Sequence, residues 1–234
     1  MGMSAKHKTE SGNALIYVLV AIALFAALSM TLGRQTDTGE VGTVSDEKAE
    51  LYATQLISYA AQAKQVVDQM IFSNTDINDI NFILPGDAAF NTAPHIDKVF
   101  HPEGGGLVLG KIPAEIATSG GSGPPAGWYL GRFNNVDWTA STGMEVILVA
   151  YQIAKPVCER INEKVTGSKT IPTMTDSIKE VMIDDATTGF GAGANTDLTT
   201  GGGGICPSCN KIATLCVEDQ AQNAYGFYSI LADQ

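Results

Sequence analysis

The feature that most constrains this chain is an uncharged, mostly apolar run near its N-terminus, from Asn13 to Gly33. Its inner part, from Ala14 to Phe25, contains no glycine, no proline and no charged residue. A helix of about 20 residues rises about 30 Å, which is the thickness of the hydrocarbon layer of a bilayer. Because a helix satisfies its own backbone polar groups, as lipid requires, residues 13–33 are predicted to form a transmembrane helix.

The charges that flank this run predict its orientation. Lys6 and Lys8 lie on the N-terminal side, whereas Arg34 on the other side is followed by several acidic residues. Positively charged flanks tend to stay in the cytoplasm. We therefore expect a single-pass protein whose N-terminus is cytoplasmic and whose remaining residues lie outside the cytoplasm.

Three interpretations of this N-terminus are open. The run could be an uncleaved signal anchor. It could also be a secretory signal peptide cut near residues 27–29, although its apolar part is longer than the roughly 7–15 residues usual for that class. Finally, a short basic leader that ends in Gly12, directly before an apolar helix, resembles the signal of type IV prepilins.

This resemblance to type IV pilins and pseudopilins covers residues 1–73 and implies a defined maturation. A prepilin peptidase would remove the leader, residues 1–12, by cutting after Gly12. Asn13 would then begin the mature chain, and its amine would be methylated as in the family. The apolar helix would lie in the bacterial inner membrane and later in the core of a periplasmic pseudopilus or a cell-surface pilus. The side chains expected in that filament core include Tyr17, Leu19, Ile22 and Phe25.

Two positions differ from the pattern of this family. Its members usually carry an apolar residue directly after the cut, where this chain has Asn13, and a glutamate at the fifth mature position, where it has Tyr17. The glutamate normally pairs with the N-terminal amine of a neighbouring subunit during assembly. Tip-type minor pseudopilins also lack it, so the resemblance points to a minor or divergent subunit.

An amphipathic helix is predicted beyond the apolar run. Residues 34–44 are polar and contain Gly39 and Gly42, which is typical of a flexible joint, and residues 45–234 are expected to form a globular domain. The apolar residues of this helix form a stripe along one face. This stripe could face the core of the domain, which is the commoner case, or form a seam that packs against other subunits. Its apolar residues alternate at spacings of four and three, as in a helix: Ala49, Ala53, Leu56, Ala60, Ala63, Val67 and Met70.

The chain after this helix alternates short apolar runs with glycine-rich loops. Residues 106–109, 127–130, 144–151 and 225–231 are strand candidates, although 144–151 could instead be a buried helical turn that leads into a helix over 154–165. A helix followed by several short strands predicts an α+β domain in which the long helix packs on an antiparallel sheet.

Four cysteines, Cys158, Cys206, Cys209 and Cys216, all lie beyond the apolar run. An even number in an exported domain favours two disulfides, and the sequence leaves the three possible pairings open. Cys206 and Cys209 also have the spacing of a redox-active pair, and the four thiols together could bind zinc. We favour structural disulfides, because four glycines rather than a βαβ unit precede Cys206. A disulfide-closed C-terminal region is common in pilin-like proteins.

Nucleic acids and nucleotides are not expected as ligands. The formal net charge of −11 opposes binding to a phosphate backbone. Residues Gly105–Lys111 have the spacing of a phosphate-binding loop, but Ile112 stands where serine or threonine is needed, and Pro113 opposes a following helix. No cofactor is therefore predicted.

A metal site is also not predicted from the sequence. His95 and His101, with Asp97 and Glu103 nearby, could gather an ion, but their spacing fits no standard helical pair of ligands. A solvated loop is the favoured interpretation. Since no catalytic constellation is evident, the protein is not expected to be an enzyme.

Together these features predict a membrane-anchored subunit of a pilus or secretion pseudopilus. Its expected partners are other pilin-like subunits, the prepilin peptidase and the inner membrane. The main alternative is an uncleaved single-pass protein whose exported domain binds a partner without forming filaments. An enzyme with a redox-active Cys206–Cys209 pair is the third possibility.

Overall fold

The computed structural model describes Val18, Val20, Ile22 and residues 44–121, 123–183 and 196–233. The chain divides into two compact units, Met1–Thr43 and Val44–Gln234. In the first unit, the three described residues are helical and exposed. The second unit combines helices with a five-stranded sheet, so the predicted α+β class is confirmed.

Helix α1 spans Asp46–Phe72 and packs on the sheet. It begins after Ser45, and Asp46 and Glu47 place carboxylates in the first turn, where the helix dipole stabilises them. The whole predicted apolar stripe is buried within this domain, so the core-facing interpretation is confirmed and the seam interpretation is wrong for these residues. The buried residues of α1 are Ala49, Ala53, Leu56, Ala60, Ala63, Val67 and Met70.

The sheet is mixed rather than purely antiparallel. Its strands are β1 Gly127–Asn134, β2 Glu145–Tyr151, β3 Thr173–Met174, β4 Thr214–Asp219 and β5 Ala224–Ala232, in the order β1-β2-β5-β4-β3. Neighbours are antiparallel except for β3 and β4, which run parallel. The prediction of an antiparallel sheet is therefore wrong at this edge. A long connection between β3 and β4 makes the parallel pairing possible, because parallel strands need a crossover.

Strand β2 lies between two hydrophobic cores, one on each face of the sheet. All seven of its residues are buried. Alternate side chains of the strand enter opposite cores, as the pleat of a strand requires. Burial on both faces explains a continuous apolar run, so the predicted strand over 144–151 is confirmed and the helical alternative is wrong. Val146, Leu148 and Ala150 join the core beneath α1, and Ile147, Val149 and Tyr151 join the core on the other face.

The predicted helix over 154–165 is confirmed as α2, Lys155–Thr166. Pro156 lies in its first turn, where a missing N–H costs nothing. Gly167 follows the helix with φ of 78°, a left-handed conformation that suits glycine. A third helix, α3, spans Ile178–Met182 and packs in the core on the far side of the sheet.

Two of the other three predicted strands are confirmed, as β1 and β5, whereas the strand over 106–109 is wrong. That segment is irregular and follows a tight contact with α1. A Cβ on Gly105 would lie 2.7 Å from Cγ1 of Val66, so the chain passes too close to the helix to carry a side chain there. Close approach to α1 therefore replaces strand pairing in this segment.

Candidate functional site

Most of the residues predicted to direct processing or to form the filament core lie outside the described part of the chain. This applies to Gly12, Asn13, Tyr17, Leu19 and Phe25. Ile22 is described, and it is helical with 61% of its surface exposed. Within the described ranges, no helix combines the length and apolar character needed to cross a membrane.

The four cysteines form two disulfides. Cys158 of α2 pairs with Cys216 of β4, and Cys206 pairs with Cys209 across a short 3-10 helix, Pro207–Cys209. The first bond lies in the core beneath α1 and the second in the core on the opposite face of the sheet. The prediction of disulfides is confirmed, and the structure supplies the pairing that the sequence left open.

The surroundings of the Cys206–Cys209 disulfide favour a structural role. Both residues have no exposed surface. Thiol–disulfide exchange requires a thiolate to reach one of the sulfur atoms, and a reactive thiol needs a helix N-terminus or a cation to lower its pKa. Among the described residues, the helical element at this pair is a single 3-10 turn.

A buried asparagine reinforces the junction between α2 and β4. Asn162 has no exposed surface, and its amide bonds both backbone polar groups of Cys216 at 2.8 Å, accepting from the N–H and donating to the carbonyl. It also donates to the carbonyl of Thr170 at 3.0 Å. Helix α2 is thus attached to Cys216 of β4 in two ways, through the disulfide of Cys158 and through the amide of Asn162.

The structure gathers three of the polar residues weighed as a metal site. His95, His101 and Glu103 can each offer one ligand atom such that the three atoms lie within 4.8 Å of one another. Asp97 is not part of this group. The two imidazole rings stack with centroids 4.2 Å apart, and His101 is buried beside Phe90. The favoured interpretation of a solvated loop is therefore wrong for His101.

Hydrogen bonds connect the three residues directly. Nδ1 of His95 lies 2.9 Å from Oε2 of Glu103, and the backbone N–H of Glu103 donates to Nδ1 of His101 at 3.2 Å. The bond from His95 lowers the pKa of the Glu103 carboxyl below its ordinary value. Nε2 of His95 is buried without a hydrogen-bond partner among the described residues.

A network of tight turns holds these side chains in place. The carbonyl of His95 accepts from the N–H of Lys98 at 3.1 Å, and the carbonyl of His101 accepts from Gly104 and Gly106, both at 2.9 Å. A Cβ on Gly104 would lie 2.6 Å from the carbonyl oxygen of His95. Glycine is therefore required where the loop folds back against the first histidine, and the cluster is built on a compact backbone.

The neighbouring Lys98 is an internal anchor for the preceding loop. Its side chain is buried, and Nζ donates to the carbonyls of Ala89 and Phe90, each at 2.8 Å, and to that of Thr92. A charged donor that serves three carbonyls satisfies the requirement that a buried ammonium be hydrogen-bonded.

Replacing Lys98 by methionine is expected to lower the free energy of unfolding by about 2–3 kcal/mol. The substitution keeps much of the side-chain volume but leaves three carbonyls without their donor. Denaturant unfolding of the full-length protein would measure the loss. Lys111→Met, at an exposed position, is the matched control and should change stability little. An equal effect of both substitutions would contradict the anchoring role.

The segment that matches a phosphate-loop spacing packs along α1. Tyr59 of α1 donates its hydroxyl to the carbonyl of Val108 at 3.0 Å and accepts from the N–H of Gly110 at 2.9 Å. A Cβ on Gly110 would lie 2.9 Å from Nε1 of Trp128. Gly105 and Gly110 therefore serve close packing against α1 and an aromatic ring, whereas Gly106 serves the turn, with φ of 65°.

Three comparisons bear on what this chain resembles. No protein family, curated protein or solved structure matches it.

Sequence reasoning weighed the histidine cluster but did not predict its assembly. The ligand spacing is His-x5-His-x-Glu, which matches no helical or strand period, so periodicity could not bring the residues together. The one sequence feature that could have indicated this cluster is the run Gly104-Gly105-Gly106 directly after Glu103. A glycine run beside polar residues marks a place where the backbone can turn sharply.

Proposed function

We propose that this protein is a type IV pilin-like or pseudopilin-like subunit, held in the inner membrane by residues 13–33 before it assembles into a filament. The observation that carries this proposal is the position of α1. A helix with one face buried on a sheet begins directly after the polar joint that follows the apolar run. This is the order of elements expected for a pilin-like protein.

The closed C-terminal half of the domain is a second support. The Cys158–Cys216 disulfide joins α2 to β4, which lies beside the last strand of the sheet. A disulfide-closed C-terminal region was implied by the resemblance to pilins. A covalent link suits a subunit that must stay folded outside the cytoplasm.

Ion pairs connect the beginning of α1 to the same region. Nη2 of Arg160 lies 3.0 Å from Oδ2 of Asp46, and Lys164 pairs with Glu50. In a filament subunit, force on the N-terminal helix would enter the globular domain at these first turns of α1. The contacts with α2 would then pass the load to the disulfide-linked part of the domain.

The proposed sequence of events starts with the basic leader, which keeps the N-terminus in the cytoplasm. The prepilin peptidase cuts the Gly12–Asn13 bond, and the apolar helix waits in the bilayer. It then leaves the membrane for a helical bundle at the filament core, where its apolar side chains stay away from water. Tyr17, in place of the usual glutamate, favours a minor subunit at the tip.

Mass spectrometry of the protein extracted from membranes of cells that carry a prepilin peptidase tests this function. The mature chain is expected to begin at Asn13, and Gly12→Val is expected to retain the whole leader and to abolish incorporation into filaments. Gly2→Val, a leader glycine away from the cut, is the matched control and should be processed normally.

Two other termini would contradict the proposal. A wild-type chain beginning at Met1 would favour the uncleaved membrane-anchored binding protein. A chain beginning near Met30 would mean a secreted soluble domain and would end the filament interpretation.

A further inference from the structure

We propose that His95, His101 and Glu103 bind one divalent transition-metal ion of the zinc class. The site is independent of the filament function, since it uses only residues of the globular domain. Two imidazoles and one carboxylate are a ligand set that zinc accepts, with a water molecule completing a tetrahedral shell.

The distances of the cluster suit this ion. With zinc–ligand bonds of about 2.0–2.2 Å, the ligand atoms of a tetrahedral site lie about 3.4 Å apart. Nδ1 of His95 and Oε2 of Glu103 are already 2.9 Å apart, and the three candidate ligand atoms fit within 4.8 Å. The Glu103 side chain is 73% exposed, so its carboxylate is free to turn toward an ion beside the two histidines.

The ion would take the place of the proton that His95 and Glu103 now share. A metal ligand must present a lone pair, so zinc binds imidazole and carboxylate in their unprotonated forms. Nδ1 of His101 already carries a lone pair, because it accepts the N–H of Glu103 at 3.2 Å. A metal ion bound at this nitrogen would replace that hydrogen bond.

The surroundings combine a rigid support with one open side. Phe90 packs on the ring of His101, with centroids 5.2 Å apart, and the turns through Gly104 fix the backbone on which the ligands sit. The buried His101 therefore loses little conformational freedom on binding. The rings of His95 and His101 are stacked and nearly parallel, so the more exposed His95 and Glu103 side chains turn toward the ion. The exposed Glu103 leaves a path by which an ion can enter from solvent and a water molecule can stay bound. The net charge of −11 also favours the approach of cations.

Isothermal titration calorimetry of the metal-free full-length protein with zinc chloride tests the site. We expect one zinc ion per chain and at least a tenfold weaker affinity in His95→Gln and in Glu103→Gln. Cobalt(II) should give the intense visible absorption of a tetrahedral complex in the wild type and lose it in both variants. Glu103 is exposed and His95 is partly exposed, so the variants are expected to fold, and circular dichroism would verify this.

Matched controls separate the site from general cation binding. Asp97→Asn removes a carboxylate of the same loop, and His7→Gln removes the third histidine of the chain. Both should bind zinc as the wild type does. The proposal is overturned if the folded His95→Gln and Glu103→Gln variants bind zinc with wild-type affinity, or if the wild type shows no saturable binding.

Discussion

Replacing both Cys158 and Cys216 by alanine is expected to lower the free energy of unfolding by about 4 kcal/mol. The two residues are 58 positions apart in the chain, so the bond restrains a long loop of the unfolded state. Such a loss would be a large part of the roughly 5–15 kcal/mol by which a domain is stable. Alanine is preferred to serine because both positions are fully buried, and a buried hydroxyl would need a partner.

The second disulfide provides the control for this experiment. Cys206 and Cys209 are separated by 3 positions, and the same loop-entropy relation gives only about 2 kcal/mol for their removal. Chemical denaturation of the two double variants under non-reducing conditions would measure both losses. A loss at the Cys206–Cys209 pair as large as that at Cys158–Cys216 would show that loop closure is not the dominant contribution.

Replacing Asn162 by alanine is expected to cost about 3 kcal/mol or more. The substitution removes three hydrogen bonds and leaves both backbone polar groups of Cys216 without partners in the core. Each buried group left unsatisfied costs about 1–3 kcal/mol. Thermal and denaturant unfolding of the full-length protein would give the change in stability.

Lys155→Ala in the same helix is the matched control, because Lys155 is exposed and opens α2. Its effect should stay within about 0.5 kcal/mol of the wild type. Asn162→Asp should also be strongly destabilising, since a carboxylate cannot donate to the carbonyls of Cys216 and Thr170. Wild-type stability of the Asn162→Asp variant would mean that donation by this amide contributes little.

These two expectations concern one junction, where α2 is fastened to β4. Since Asn162 bonds the backbone of Cys216 itself, the two losses should not add, because contacting residues share their interaction energy. Under the proposed function, this junction also supports the ion pairs between α2 and the first turns of α1. A variant that weakens this junction should therefore lower the stability of the globular domain while the subunit stays anchored in the membrane.

Local patterns in the sequence were sufficient to determine several elements of this protein. The apolar spacing between Ala49 and Met70 determined both the helix α1 and the face that it buries. A helix with a single apolar stripe removes its apolar side chains from water only by burying that face. The continuous apolar run over 144–151 determined a buried segment, but not its conformation, since a short apolar run suits a strand or a helix. The leader and the apolar run, followed in the chain by α1, support the filament proposal.

Only the tertiary structure decided which distant residues meet. The pairing of Cys158 with Cys216, the amide of Asn162 on β4 and the parallel edge of β3 all join segments that are far apart in the chain, and no local period encodes such contacts. The cluster of His95, His101 and Glu103 is closer in sequence, yet it depends on turns that Gly104 permits and on packing around Phe90. Residue type and spacing thus determined the elements, whereas long-range packing determined the covalent links and the candidate metal site.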